Sequence, residues 1–200
     1  MPSITSVLPE VVPFSINQEI NRIINYNIPS LLLIWYLLSI RGRGRSRHLR
    51  PQFYDIVSLL LGLPGLLAIG FGLSQISSAF AGIPALPPPV VEAPRNLLQW
   101  IIMPISCLST GYLEESYFRY YLLIRFWGTD NSTDKTALFG IILSVILFSL
   151  SHLYEGFWGV LNALFAGILL ALIFRRYRSI HGIAWAHGLY NAFVYAMGVR

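Results

Sequence analysis

Charge is what this sequence has least of. Charged residues are 12% of its 200 residues, against roughly 25% in an ordinary soluble domain, too few to cover the surface of a soluble globule. Cysteine is nearly absent. The single Cys107 excludes a disulfide-stapled secreted domain, and in its apolar surroundings it reads as a small buried hydrophobe. There is no glycine period, which excludes a collagen-like chain, and no internal repeat. Disorder is excluded because apolar residues abound: 55% of the chain is hydrophobic and mean hydropathy is +0.61. The net charge of +5 does not indicate a nucleic-acid partner, since the basic residues punctuate apolar segments instead of covering a polar domain. Residues 1–22 lack a basic start and carry Pro9, Glu10, Pro13 and Glu19. A secretory signal is therefore not expected there, and an interfacial segment is.

What is present is a series of long apolar stretches. A helix needs about 20 mostly apolar residues to cross a bilayer core of about 30 Å. Six stretches qualify, at about Ile23–Ile40, Ile56–Phe80, Leu97–Phe126, Thr136–Tyr154, Gly156–Phe174 and Ser179–Val199. The expected fold is all-α: a polytopic integral membrane protein of about six transmembrane helices, because lipid tolerates no unpaired backbone. The expected organisation is an N-terminal segment over 1–22, two membrane helices over 23–96 and a four-helix unit over 97–200. Five prolines in Ala81–Arg95 suggest an extended loop outside the bilayer. Pro29, Pro64 and Pro104 fall inside helices and are expected to kink them. Ala163, Gly167 and Ala171 form a small-residue stripe that lets another backbone approach.

Orientation follows from the basic residues. Arg41, Arg43, Arg45, Arg47 and Arg50 follow the first stretch, Arg125 and Lys135 the third, and Arg175, Arg176 and Arg178 the fifth. These alternate loops lie on one side and hold ten of the fourteen basic residues. A plasma (inner) membrane protein with these loops in the cytoplasm and both termini outside is expected.

Three apolar stretches carry polar groups that membrane helices ordinarily avoid. The third holds Glu114, Glu115 and Arg119, each costing about 2.5–3.5 kcal/mol to bury. Glu115 and Arg119, four apart, share a helix face and can pair. Glu114 is rotated about 100° away and has no local partner. The fourth stretch ends with His152 one turn after Phe148, and the sixth puts His187 and Asn191 one turn apart. The plain alternative is a structural network fastening the helices together. His181, near the basic interface, and His48, in a basic loop, are expected to be non-catalytic.

Two histidines, a carboxylate pair and an amide on three helices form a constellation with chemical capacity. Peptide hydrolysis needs a base to activate water, a donor for the oxyanion and an acid for the leaving amine. Glu114 can take the proton and His152 can orient the water. His187 and Asn191 can offer N–H donors to the tetrahedral oxygen. The same groups, Glu114, His152 and His187, could instead ligate a metal such as zinc. The HExxH motif and the GxSxG elbow are both absent.

The three motifs read Glu114-Glu115-Ser-Tyr-Phe-Arg119, Phe148-Ser-Leu-Ser-His152 and His187-Gly-Leu-Tyr-Asn191. In this order they resemble the EExxxR, FxxxH and HxxxN pattern of the CAAX-processing and bacteriocin-processing (CPBP) intramembrane proteases. That family includes type II CAAX prenyl endopeptidases. The resemblance covers about residues 98–197, half of the chain. It implies an endopeptidase with a membrane-embedded catalytic cavity, acting on a membrane-associated or lipidated, CAAX-like peptide. It further implies that Glu114 is the general base and that His152 works with it on the water. His187 and Asn191 would form the oxyanion site, with Glu115, Arg119 and Phe148 in support. Both metal-dependent and metal-free mechanisms are argued for the family. A metal-free one, with no cofactor, is expected here, because an amide oxygen such as that of Asn191 favours hard cations over zinc.

Two competing functions are a transporter or proton-relay protein and an inactive membrane scaffold. Inverted repeats and half-helices, which mark many transporters, are not found. One geometric difficulty stands. At 1.5 Å per residue, Glu114 and His187 lie roughly 16 and 14 Å from their basic ends, and His152 roughly 25 Å from Lys135.

Overall fold

The computed structural model describes residues 11–40, 50–79, 90–123 and 134–197. The RGRGRSR part of the first basic loop, His48, most of the proline-rich loop and Arg125 lie outside the described residues. The described chain is helical apart from one short feature. Val11–Val12 (β1) pairs in parallel with Val90–Val91 (β2), so the segment before the first helix lies against the segment before the third.

Six helical segments follow in order. Helix α1 spans Ile16–Ile40 and starts before the expected Ile23. Ser15 accepts the Gln18 N–H at its N-terminus, as hydroxyl side chains do for orphan donors. Its middle, Arg22–Asn27, is a π turn in which Ile28 N–H bonds Ile23 O. The turn stands just before Pro29, whose ring would clash with the carbonyl four residues back in a regular helix. Helix α2 spans Phe53–Ala79 and carries Pro64 within it. Helix α3 spans Leu97–Glu115, capped by Asn96, with Pro104 inside, and continues as a second π turn, Ser116–Leu122.

Helix α4 spans Asp134–Leu150. His152 therefore lies past its end, in a turn leading to the 3-10 segment Leu153–Glu155, and not within the helix as expected. Helix α5 spans Gly156–Tyr177 and closes on Arg178 in the left-handed region, φ 56°. Helix α6 spans Ile180–Ala196, and its N-cap Ser179 accepts the Gly182 N–H.

Three of these segments are long and apolar enough to cross a membrane: Ile16–Ile40, Phe53–Ala79 and Leu153–Tyr177. The outward faces of α1 and α2 expose Leu32, Leu33, Leu60, Leu61 and Phe71, a surface suited to acyl chains and not to water. The buried core runs through Leu66, Tyr120, Phe148, Leu170, Phe174 and Ile183.

The α3–α6 crossing positions everything that follows. A Cβ on Gly111 would sit 2.8 Å from the Ala184 carbonyl oxygen, and one on Gly188 2.7 Å from the Leu108 Cα. Neither could carry a side chain at this backbone separation. The two glycines let the helices touch one turn from Glu115 and next to His187.

Candidate active site

Glu115 is the centre of a buried cluster. Its Oε1 accepts from Arg119 Nη1 at 3.1 Å, one turn along α3, and from His187 Nδ1 at 2.8 Å across the crossing. Glu115 and Arg119 are both fully buried and His187 is nearly so. The carboxylate paired with Arg119 can only accept, so His187 Nδ1 carries a proton and donates it. The opposite nitrogen, Nε2, lies 3.6 Å from Glu114 Oε2. One imidazole thus stands between the two adjacent carboxylates.

Those carboxylates differ sharply in access. The Glu115 side chain is 0% exposed and that of Glu114 26%. The 100° rotation between neighbouring helical residues turns one into the helix seam and the other toward the open side. Glu114 has no hydrogen bond among the described residues, and its Oε2 is a buried atom without a partner. The expected Glu115–Arg119 pair is present. Among the described residues Glu114 has no partner one turn away on its own helix, and the contact recorded for it is with His187 of α6.

His152 is set by the end of α4. The last carbonyls of a helix have no intrahelical donor, and His152 Nδ1 lies 2.8 Å from the Phe148 carbonyl oxygen. Nδ1–H is the donor there, which leaves Nε2 as a free lone pair. The FxxxH spacing thus fixes a tautomer as well as a position. Leaving the helix at Leu150 also eases the difficulty with depth, because the ring folds back onto Phe148.

Phe148 is the hub that brings the motifs together. Its fully buried ring lies 4.7 Å from the His152 ring and 5.8 Å from the His187 ring, centroid to centroid. The Arg119 guanidinium carbon sits 4.1 Å over its face, a cation–π contact. Residues from α3, the end of α4 and α6 therefore converge on one ring. Asn191 lies one turn beyond His187 on α6 and is half-buried. Among the described residues no hydrogen bond or ion pair joins Asn191 or His152 to Glu114. His181 lies apart from this cluster, where its Nδ1 meets the Tyr112 hydroxyl at 2.9 Å.

Ser144 was not foreseen. It is fully buried on α4 and donates to the Phe118 carbonyl oxygen at 2.7 Å, inside the π turn that carries Arg119. A serine in the middle of an apolar helix, six residues before the end of α4, was the available signal. Among the described residues no group of three His, Cys, Asp or Glu side chains is placed to hold a metal, and the two nitrogens of His187 face Glu115 and Glu114.

Residues 96–193 match the family model described as Type II CAAX prenyl endopeptidase Rce1-like. The chain is a member of this family through that segment. All three motifs and helices α3 and α6 as far as Phe193 fall inside the matched residues, whereas α1 and α2 lie outside them. No curated protein and no solved structure matches the chain significantly. Membership in the type II CAAX prenyl endopeptidase family makes this a membrane protein of the protease class.

Proposed function

We propose that the protein is a polytopic intramembrane endopeptidase that hydrolyses a peptide bond in a membrane-associated or lipidated peptide with water activated by Glu114. The observation that carries this reading is the contrast within the glutamate pair. Glu115 is sealed and committed to Arg119 and His187, while Glu114 is partly open and keeps its carboxylate unspent. A general base must reach its water, and only Glu114 can.

In this reading Glu114 removes a proton from a water molecule oriented by the lone pair on His152 Nε2. The water oxygen attacks the scissile carbonyl carbon and the carbonyl π electrons move onto its oxygen. His187 and Asn191 donate N–H groups to that oxygen. Glu114 then returns the proton to the leaving nitrogen as the C–N bond breaks. As an imidazolium, His187 would balance the one negative charge left over from two carboxylates and one guanidinium. No step requires a metal. The basic loops face the cytoplasm of a cell bounded by the plasma membrane.

The test uses protein reconstituted in liposomes with a fluorogenic S-farnesylated CAAX peptide. Membranes carrying wild-type protein or Glu114→Ala are compared in parallel for new protein termini. The wild type should cleave and Glu114→Ala should not, with both inserted equally. Cleavage by Glu114→Ala at the wild-type rate would overturn the assignment.

A further inference from the structure

Arg119 is held in an unusual way. It is fully buried, yet among the described residues its one hydrogen-bond acceptor is Glu115, through Nη1, and Nε and Nη2 have none. What fixes the rest of the guanidinium is its face on the Phe148 ring, 4.1 Å from the centroid. The seat of that stack therefore matters to everything Arg119 touches, Glu115 first and His187 through it.

The back of the seat is Gly167 on α5. A Cβ there would lie 3.1 Å from Phe148 Cδ1, 3.5 Å from Arg119 Nη2 and 3.6 Å from Val145 Cγ1. The closest of these is tighter than ordinary van der Waals contact, so the ring would have to yield. It has little room to do so, with Phe118 5.2 Å away, His152 4.7 Å and His187 5.8 Å. Any movement away from α5 is movement into the site. Gly167 has an ordinary helical backbone, without a positive φ, and glycine is a poor helix former. Conformation therefore does not require glycine here, whereas space does. The neighbouring positions of the same stripe, Ala163 and Ala171, are buried and carry a methyl group.

We infer that Gly167 is a positioning residue of the active site: its missing side chain sets how deep the Arg119–Phe148 stack lies, and so where Glu115 holds His187. The inference rests on the peptidase reading above. The liposome assay with the farnesylated peptide tests it. Gly167→Ala should lower kcat at least tenfold and leave KM within twofold, with the melting temperature in detergent close to wild type. Ala171→Gly, on the same stripe, should keep kcat within twofold. In a double-mutant cycle with Phe148→Leu, Gly167→Ala should cost little, because the shorter side chain leaves room for the methyl group. That background also serves if Gly167→Ala alone does not fold.

Histidine ¹⁵N spectra give a readout independent of turnover. The signal of the hydrogen-bonded His187 Nδ1–H should shift in Gly167→Ala and stay in place in Ala171→Gly. A kcat within twofold of wild type, or equal losses with Phe148 and with Leu at position 148, would overturn the inference. So would an unmoved His187 signal. If instead the wild type cleaves no better than Glu114→Ala, the function reading fails, and the spectra still decide whether Gly167 positions His187.

Discussion

The two halves of the chain bury polar groups in different ways. In the N-terminal half, Glu19 accepts from Arg22 at 3.0 Å and from the Ser106 hydroxyl. Asn27 donates to Ser109 at 2.7 Å and Thr110 at 3.1 Å. Asp55 accepts from Gln52 N–H at 2.6 Å and from the Ser179 hydroxyl. These side chains are all buried and tie α1 to α3 and α2 to the start of α6. Among the described residues of the family-matched half, Glu114 Oε2, Glu115 Oε2, Ser116 Oγ, Arg119 Nε and Arg119 Nη2 are buried without a hydrogen-bond partner, against Ser58 Oγ alone among those of the other half. Polar groups that serve as fasteners are paired, because an unpaired one in a dry setting costs free energy. The unpaired groups of the family-matched half are gathered around the sealed Glu115, next to the partly open Glu114.

The largest test of that contrast is Glu114→Gln against Glu19→Gln. Loss of a general base should lower the cleavage rate about 10²–10⁴-fold, measured on the farnesylated peptide, whereas Glu19→Gln should stay within about threefold if it serves only as a fastener. Equal losses would erase the distinction between the two halves. Arg119→Leu comes next. It takes from buried Glu115 its guanidinium partner, leaving only the His187 Nδ1–H on that carboxylate, and should destabilise the protein by about 3–5 kcal/mol, read as a drop in the denaturation midpoint in micelles. An unchanged midpoint would mean that Arg119 is not holding Glu115.

Asn191→Ala should cut kcat about 10²–10³-fold with KM little changed, as expected on removing an oxyanion donor. A rise in KM at constant kcat would instead make Asn191 a substrate-binding group. Asn27→Leu removes a fastener and should cost only about 0.6 kcal/mol of stability, with turnover intact. Smallest of all, dialysis against a strong chelator should leave the rate unchanged. Loss restored by added zinc would replace the metal-free mechanism.

Much of this was legible in the residues. The 100° step between Glu114 and Glu115, the i,i+4 reach of Glu115 to Arg119 and the pairing of His187 with Asn191 on one face are consequences of helix geometry alone. The helix positions were legible because lipid-compatible segments are long and uniform. Three features were not. The early start of α1 depended on Glu19 finding Ser106, an acid that looks unfit for a buried helix until its partner on α3 is known. The exit of His152 from α4 depended on its ring capping the Phe148 carbonyl. The π turn at Ser116–Leu122 is accompanied by a bond from Ser144, a residue of another helix.

By itself the sequence determined that the chain enters a membrane as helices and which polar groups it carries there, since apolar length and helical spacing are local properties. The tertiary structure decided which glutamate is sealed and which is open, and that His187 stands between them. That choice was made where Gly111 and Gly188 let two helices touch, because the separation of two backbones is fixed by both surfaces together and belongs to neither helix alone.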